Sequence, residues 1–228
     1  MSDKKYILTA EKVSFRYSSE KEFIFQDIDL NISRGSIVAI TGKSGQGKTT
    51  LCYLLSGIIP RVYKGEITGS ISLYGENVSK MKAESISSKL GIVFQDPETQ
   101  LFMPEVEDEL AFAPENFCFD RDEIDKRISG SLRAVGIENF RHHETATLSG
   151  GQKQLVTIAS VLTMNPDLLI FDEITAQVDK RSKQAVMDVI SSLKNENKTV
   201  IMVDHDITSL ELADEVYHIQ NHKLSRTK

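Results

Sequence analysis

The run SIVAIT, Ser36 to Thr41, sets apolar residues side by side without polar alternation, and a glycine-rich stretch, GKSGQGKTT (Gly42 to Thr50), follows at once. Alternation marks a strand with one wet face. Its absence marks a strand buried on both faces, as where helices cover both sides of a parallel sheet. The glycines permit a sharp turn, and a helix is expected to begin near Gly47. Three runs share this character: Gly91 to Phe94 (GIVF), Leu168 to Phe171 (LLIF) and Thr199 to Val203 (TVIMV). Each is followed by polar residues and most by a helical stretch. The chain is therefore expected to be α/β with a mainly parallel core sheet.

Other segments fit around that core. Tyr6 to Tyr17, Asp27 to Ile32, Ser36 to Thr41 and Thr68 to Tyr74 are strand-like runs separated by turns and read as an antiparallel β rim, Ser36 to Thr41 counting in the core as well, and a last short strand is expected near Val216 to Gln220. Glu105 to Gly136 is polar, charged and of helical period, with Pro104 and Pro114 as breakers. It reads as an α-helical lobe, about 103–147, inserted into one domain spanning 1–228. Glu105, Glu107, Asp108 and Glu109 fall at a helix start, where carboxylates favour the dipole.

Composition removes several function classes. No apolar run approaches the roughly 20 residues that span a bilayer, and MSDKKYILTAEKV lacks a signal-peptide apolar region, so a cytosolic chain is expected. The net charge is −6 with no long Lys/Arg cluster, which disfavours nucleic acid as a partner. Cys52 and Cys118 have no metal or redox spacing and read as reduced, small buried hydrophobes. His142 and His143, adjacent and without further ligand spacing, read as a solvated loop.

GKSGQGKTT fits G-x-x-x-x-G-K-[ST] with the strand where that pattern needs it. Backbone N–H groups of Gly42, Lys43, Ser44, Gly45, Gln46, Gly47 and onward to Thr50 can curl around phosphate oxygens, aided by the positive end of the following helix. Lys48 would neutralise the β and γ oxygens, and the Thr49 hydroxyl would hold Mg²⁺, which makes ATP with Mg²⁺ the expected ligand. LLIFDE adds Asp172 and Glu173 just beyond a buried strand, where open α/β sheets place their chemistry. Asp172 suits the metal and Glu173 the attacking water. A chance glycine turn and a helix-capping carboxylate are the plain alternatives.

LSGGQ, Leu148 to Gln152, resembles the identifying motif of the ABC ATPase family, and the resemblance covers nearly the whole chain. Read physically, Ser149 caps a helix running to Thr163, and Gly150 and Gly151 allow close backbone approach, so the helix start suits an anion. The resemblance implies a P-loop NTPase of the ABC ATPase fold. It also implies that Ser149, Gly150, Gly151 and Gln152 contact the γ-phosphate of ATP bound to a second ABC ATPase subunit. Other positions match the family: Gln95 resembles the glutamine that senses Mg²⁺ and the membrane subunit, His205 the switch histidine, Tyr17 the adenine-stacking aromatic, and Asp179 the aspartate of the loop after the catalytic Glu. Gln95 also fits a surface loop residue, His205 a structural imidazole, and Tyr17 a core aromatic. Ile174 stands where the family has Pro, and Gln177-Val178 also depart from its pattern.

VFQDPETQLF (Val93 to Phe102) and EDELAFAPEN (Glu107 to Asn116) resemble energy-coupling-factor importer ATPases, which take up vitamins or transition-metal ions. That implies a transmembrane transporter subunit as partner and a peripheral position on the inner face of the membrane. GIIPRVYKGEITGSISLYG (Gly57 to Gly75) is similar to the first half of tandem ATPases in that group. Relatives that act on nucleic acid are the rival reading, but the DNA-repair type inserts a long coiled coil where Gln95 and Ser149 here stand only 149 − 95 = 54 positions apart. A second rival is an ATP-binding subunit that merely completes its partner's site.

Overall fold

The computed structural model describes residues 5–176, 178–204 and 207–228. Among the described residues the strands are β1 Tyr6–Tyr17, β2 Phe25–Ser33, β3 Ile37–Gly42, β4 Gly65–Leu73, β5 Glu76–Asn77, β6 Leu90–Val93, β7 Leu168–Asp172, β8 Thr199–Val203, β9 Glu215–Gln220 and β10 Lys223–Arg226. The helices are α1 Lys48–Leu55, α2 Ile58–Arg61, α3 Ala83–Ser87, α4 Val106–Asn116, α5 Arg121–Val135, α6 Gly150–Leu162, α7 Lys180–Asn195 and α8 Ile207–Leu212.

The strands form two sheets. An antiparallel sheet has the order β2-β1-β4-β5 and takes three of the runs expected in the rim, whereas the fourth, β3, pairs only in a second sheet of order β10-β9-β3-β8-β7-β6. In the second, β9, β3, β8, β7 and β6 run parallel, and β10 adds to the edge antiparallel. All four runs form strands of this sheet, but β6 is its edge strand and Gly91, Ile92 and Phe94 are only half-buried, because no further strand covers that side. The strand expected near Val216 to Gln220, whose sheet the periodicity does not specify, is β9 and joins them as a fifth parallel member beside β3, but it is not the last, since β10 follows and pairs with it.

Alternate residues of β3 explain the unbroken apolar pattern. Val38 and Ile40 enter a core shared with Phe15, Phe25, Leu51 and Leu54, while Ile37 and Ala39 enter one shared with Leu132, Val156, Ile158 and Val186. The antiparallel sheet and α1 therefore cover one face, and α4 to α7 the other. Each fully buried Ile or Leu contributes about 1.5–3 kcal/mol by leaving water.

The expected lobe holds α4 and α5, and the segment closes as expected on Gly136, the left-handed C-cap of α5. Leu110, Ile128 and Leu132 pack with Leu155 and Val156 of α6, so the lobe sits on the helix that follows LSGGQ. Pro114 does not break α4 but lies inside it. It stands near the C-terminal end, where its missing N–H removes one intrahelical bond and the helix ends two residues later. Cys52 is buried as expected, but Cys118 is exposed, in a left-handed turn beyond α4. The acidic run begins α4 as expected and also has tertiary partners. Glu109 accepts from the N–H groups of Phe102 (3.0 Å) and Met103 (2.9 Å), and Glu107 pairs with Arg141 at 2.7 Å. His142 leans on Glu107 and the His143 ring packs on Phe140.

Candidate functional site

The loop Gly42 to Gly47 joins the end of β3 to the start of α1. Gly47 is the N-cap, at φ 86°, and a Cβ there would lie 2.4 Å from Ile24 Cγ2, so glycine is required twice over. The Gln46 side chain folds back to accept from Lys43 N–H at 2.8 Å, while Ser44 and Gly45 stay exposed at the tip. Lys48 is 6% exposed and its ammonium is fully engaged. It donates to Gly42 O (3.0 Å) and Lys43 O (3.2 Å) and pairs with Glu173 Oε1 at 2.9 Å.

Asp172 ends β7 and is 1% exposed. Burial, with the neighbouring Glu173 carboxylate, pushes its pKa up, against a hydrogen bond from Thr49 and the charge of Lys48. Its Oδ1 is buried with no hydrogen-bond partner. An orphaned carboxylate oxygen beside a threonine hydroxyl is a donor set that fits a small hard cation. Glu173 follows in left-handed backbone, φ 49°, held by its N–H donating to Val203 O at 2.8 Å. Strain of this kind persists where the surroundings over-determine it.

Tyr17, at the end of β1, is hydrogen-bonded to Thr50 Oγ1 at 3.2 Å and borders a cavity of about 530 Å³ shared with Gly45 and Gln46. Gln95 shares a second cavity of about 530 Å³ with Thr49 and Asp172. Two aromatics that the sequence did not single out join here. Tyr63 stacks on Tyr53 at 5.3 Å and meets Tyr17 edge-on at 6.5 Å. Tyr17, Gly42 to Thr50, Gln95, Asp172 and Glu173 thus converge on one region.

Ser149 to Gln152 lie elsewhere. Ser149 is the N-cap of α6 in a reciprocal box: its hydroxyl accepts from Gln152 N–H (3.4 Å) and its own N–H donates to Gln152 Oε1 (2.8 Å). Gly151 packs against α7, where an added Cβ would fall 2.0 Å from Ser182 Oγ, whereas Gly150 faces open space. Asp179 caps α7, accepting from Arg181 N–H, Ser182 N–H and Ser182 Oγ, which holds its pKa low. Among the described residues no hydrogen bond or ion pair joins Ser149–Gln152 to Gly42–Thr50. Lys153 does pair with Glu98 at 2.6 Å, linking α6 to the turn just after Gln95. His205 and Gln177 lie outside the described residues, although Asp204, before His205, accepts from Thr175 Oγ1 at 2.8 Å. Ile174, the departure from the family's Pro, is 4% exposed in the core under the α4 to α7 face.

The family model for ABC transporters matches residues 25–176, which holds the phosphate loop, LSGGQ and Asp172-Glu173. The chain belongs to the ABC transporter family. A putative ABC transporter ATP-binding protein of Pyrococcus horikoshii is 40% identical over 92% of this chain and 75% of its own length. The energy-coupling factor transporter ATP-binding protein EcfA1 of Ligilactobacillus salivarius is 38% identical over 96% of this chain and 76% of its own. The solved structure of CbiO1 from Clostridium perfringens, part of the ABC transporter complex CbiONQ, superposes with a TM-score of 0.86. That match has 33% identity and covers 97% of this chain and 87% of that one. This ABC protein has the ABC ATPase fold, binds ATP and is an ATPase. No helix among the described residues is long and apolar enough to cross a membrane.

Proposed function

We propose that this ABC ATPase powers an energy-coupling-factor importer, energising uptake of a vitamin or metal ion through a membrane partner, from a peripheral position on the inner membrane face. The observation that carries the ATP chemistry is the convergence of Lys48, Thr49, Gln95, Asp172 and Glu173 at the ends of β3 and β7. Lys48 exchanges Glu173 for the β and γ oxygens, and Glu173 with His205 then orients the attacking water. Thr49, Gln95 and Asp172 would hold Mg²⁺, which when bound neutralises charge on the phosphates. Tyr17 stacks on the base.

The phosphate loop and Ser149–Gln152 carry separate halves of a site, so a second ABC ATPase subunit, a copy or a paralogue, completes it. ATP closes that pair only through its tighter binding to the closed form, and the surplus does the conformational work. The membrane partner docks along Gln95 to Asn116, where Phe102 and Phe112 meet edge-on at 4.7 Å and both stay exposed. The likeness to EcfA1 and CbiO1 supports the importer branch.

The test is ATP hydrolysis by the purified chain as a function of protein concentration, joined to affinity capture from detergent extract. A quadratic dependence and a captured membrane protein are expected. Hydrolysis that stays linear in protein at concentrations where the chain is monomeric, or captured ribosomes or DNA, would overturn the reading.

A further inference from the structure

The cavity beside Tyr17 is built partly by a part of the chain remote from every motif, the two-residue turn Asn221–His222 between β9 and β10. Both turn residues are left-handed, at φ 49° and 64°. A two-residue hairpin of this handedness favours Asn-Gly, because left-handed backbone suits glycine, tolerates asparagine and strains most other side chains. Asn at the first place follows that rule. His at the second breaks it, so the imidazole occupies a place where a bare turn would carry glycine.

The ring is also anchored. Nδ1 lies 3.3 Å from Ile24 O, and the carbonyl of His222 accepts from Gln26 N–H at 2.9 Å, so the turn is pinned to the start of β2 by side chain and backbone. A backbone carbonyl can only accept, hence Nδ1 carries the hydrogen, and Nε2 of the neutral ring is an acceptor. The cavity measures about 530 Å³, within the range of small-molecule sites. Gly45 and Gln46 of the phosphate loop line it, as do the carboxylates of Glu20 and Glu22. Carboxylates repel a polyphosphate, so the phosphates belong with Gly45 and Gln46, and the uncharged nucleoside with Tyr17, Glu22 and the turn.

We infer that His222 is a nucleoside-binding residue of this ATPase, its imidazole receiving a hydrogen-bond donor of the nucleotide's base or ribose while Tyr17 meets the base. This rests on the proposed nucleotide site and extends it to the C-terminal hairpin. The experiment titrates ADP and pyrophosphate into the wild type, H222G and H222N by calorimetry, with melting temperatures alongside. Glycine and asparagine both accept φ 64°, so neither variant carries backbone strain into the comparison. Both should weaken ADP about five- to tenfold while leaving pyrophosphate within twofold. ADP unchanged in both variants, or pyrophosphate weakened by the same factor, would overturn the assignment. Should the glycine variant melt early, H222N alone decides. A wild type that binds pyrophosphate but not ADP would overturn the inference and leave the phosphate loop standing, and one that binds neither would sink the nucleotide site itself.

Discussion

Lys48 and Glu173 form an ion pair at 2.9 Å, with side chains 6% and 19% exposed. In the proposed site Glu173 therefore competes with the phosphates for the Lys48 ammonium. Glu173→Gln removes that competition. It should tighten ATP binding about three- to tenfold, as read by equilibrium titration. The same variant should lower steady-state hydrolysis by at least about a hundredfold.

Asp172 gives a prediction with a definite sign. Its folded pKa lies above the ordinary carboxylate value, chiefly through burial. The native state therefore binds the proton more readily than the unfolded chain does, and stability falls as pH rises from the ordinary carboxylate range through the folded pKa. At neutral pH the ionised group is a burden. Asp172→Asn should raise the melting temperature of the nucleotide-free protein by about 2–4 °C, with the gap to wild type closing below about pH 4. The variant should also lose the extra stabilisation that Mg²⁺ adds to ATP, which a melting series with and without EDTA would reveal.

The two glycines of LSGGQ should separate cleanly. Gly151→Ala places a methyl 2.0 Å from Ser182 Oγ and 2.5 Å from its Cβ and should cost about 1–3 kcal/mol. Adding Ser182→Gly should recover most of that loss. Gly150→Ala meets nothing within 4 Å and should change stability by less than about 0.5 kcal/mol. Urea midpoints measure all three.

Thiol labelling should distinguish the cysteines. Cys118 is exposed, whereas Cys52 is 1% exposed and its thiol pKa is pushed up by burial and by the nearby Asp172 carboxylate. At pH 8 one equivalent of an aromatic disulfide reagent should react quickly, and the second only at the rate of unfolding.

Much of this was legible in the chain because its signals are local. The both-faces-buried strands, the glycine turn before Lys48 and the Ser149–Gln152 box each lie within a few consecutive residues, where backbone geometry dictates composition. What escaped was contact at long range. Nothing near Gly151 announces Ser182, nothing near Tyr17 announces Tyr63 or His222, and β9 joins β3 across some 180 residues. Pro114 misled because a proline tolerated near the end of a helix looks, in sequence, like one that ends it. Cys118 misled because burial is common for free cysteine and only the left-handed turn after α4 turns it outward.

The box at the start of α6 satisfies only part of that helix end. Ser149 and Gln152 bind each other at 2.8 and 3.4 Å, which leaves the N–H groups of Gly150 and Gly151 as the first-turn donors outside the box. In the proposed pair, a phosphate held by the partner subunit would meet those two donors with the box intact, so the capping that orders the helix start and the contact proposed for it use different N–H groups.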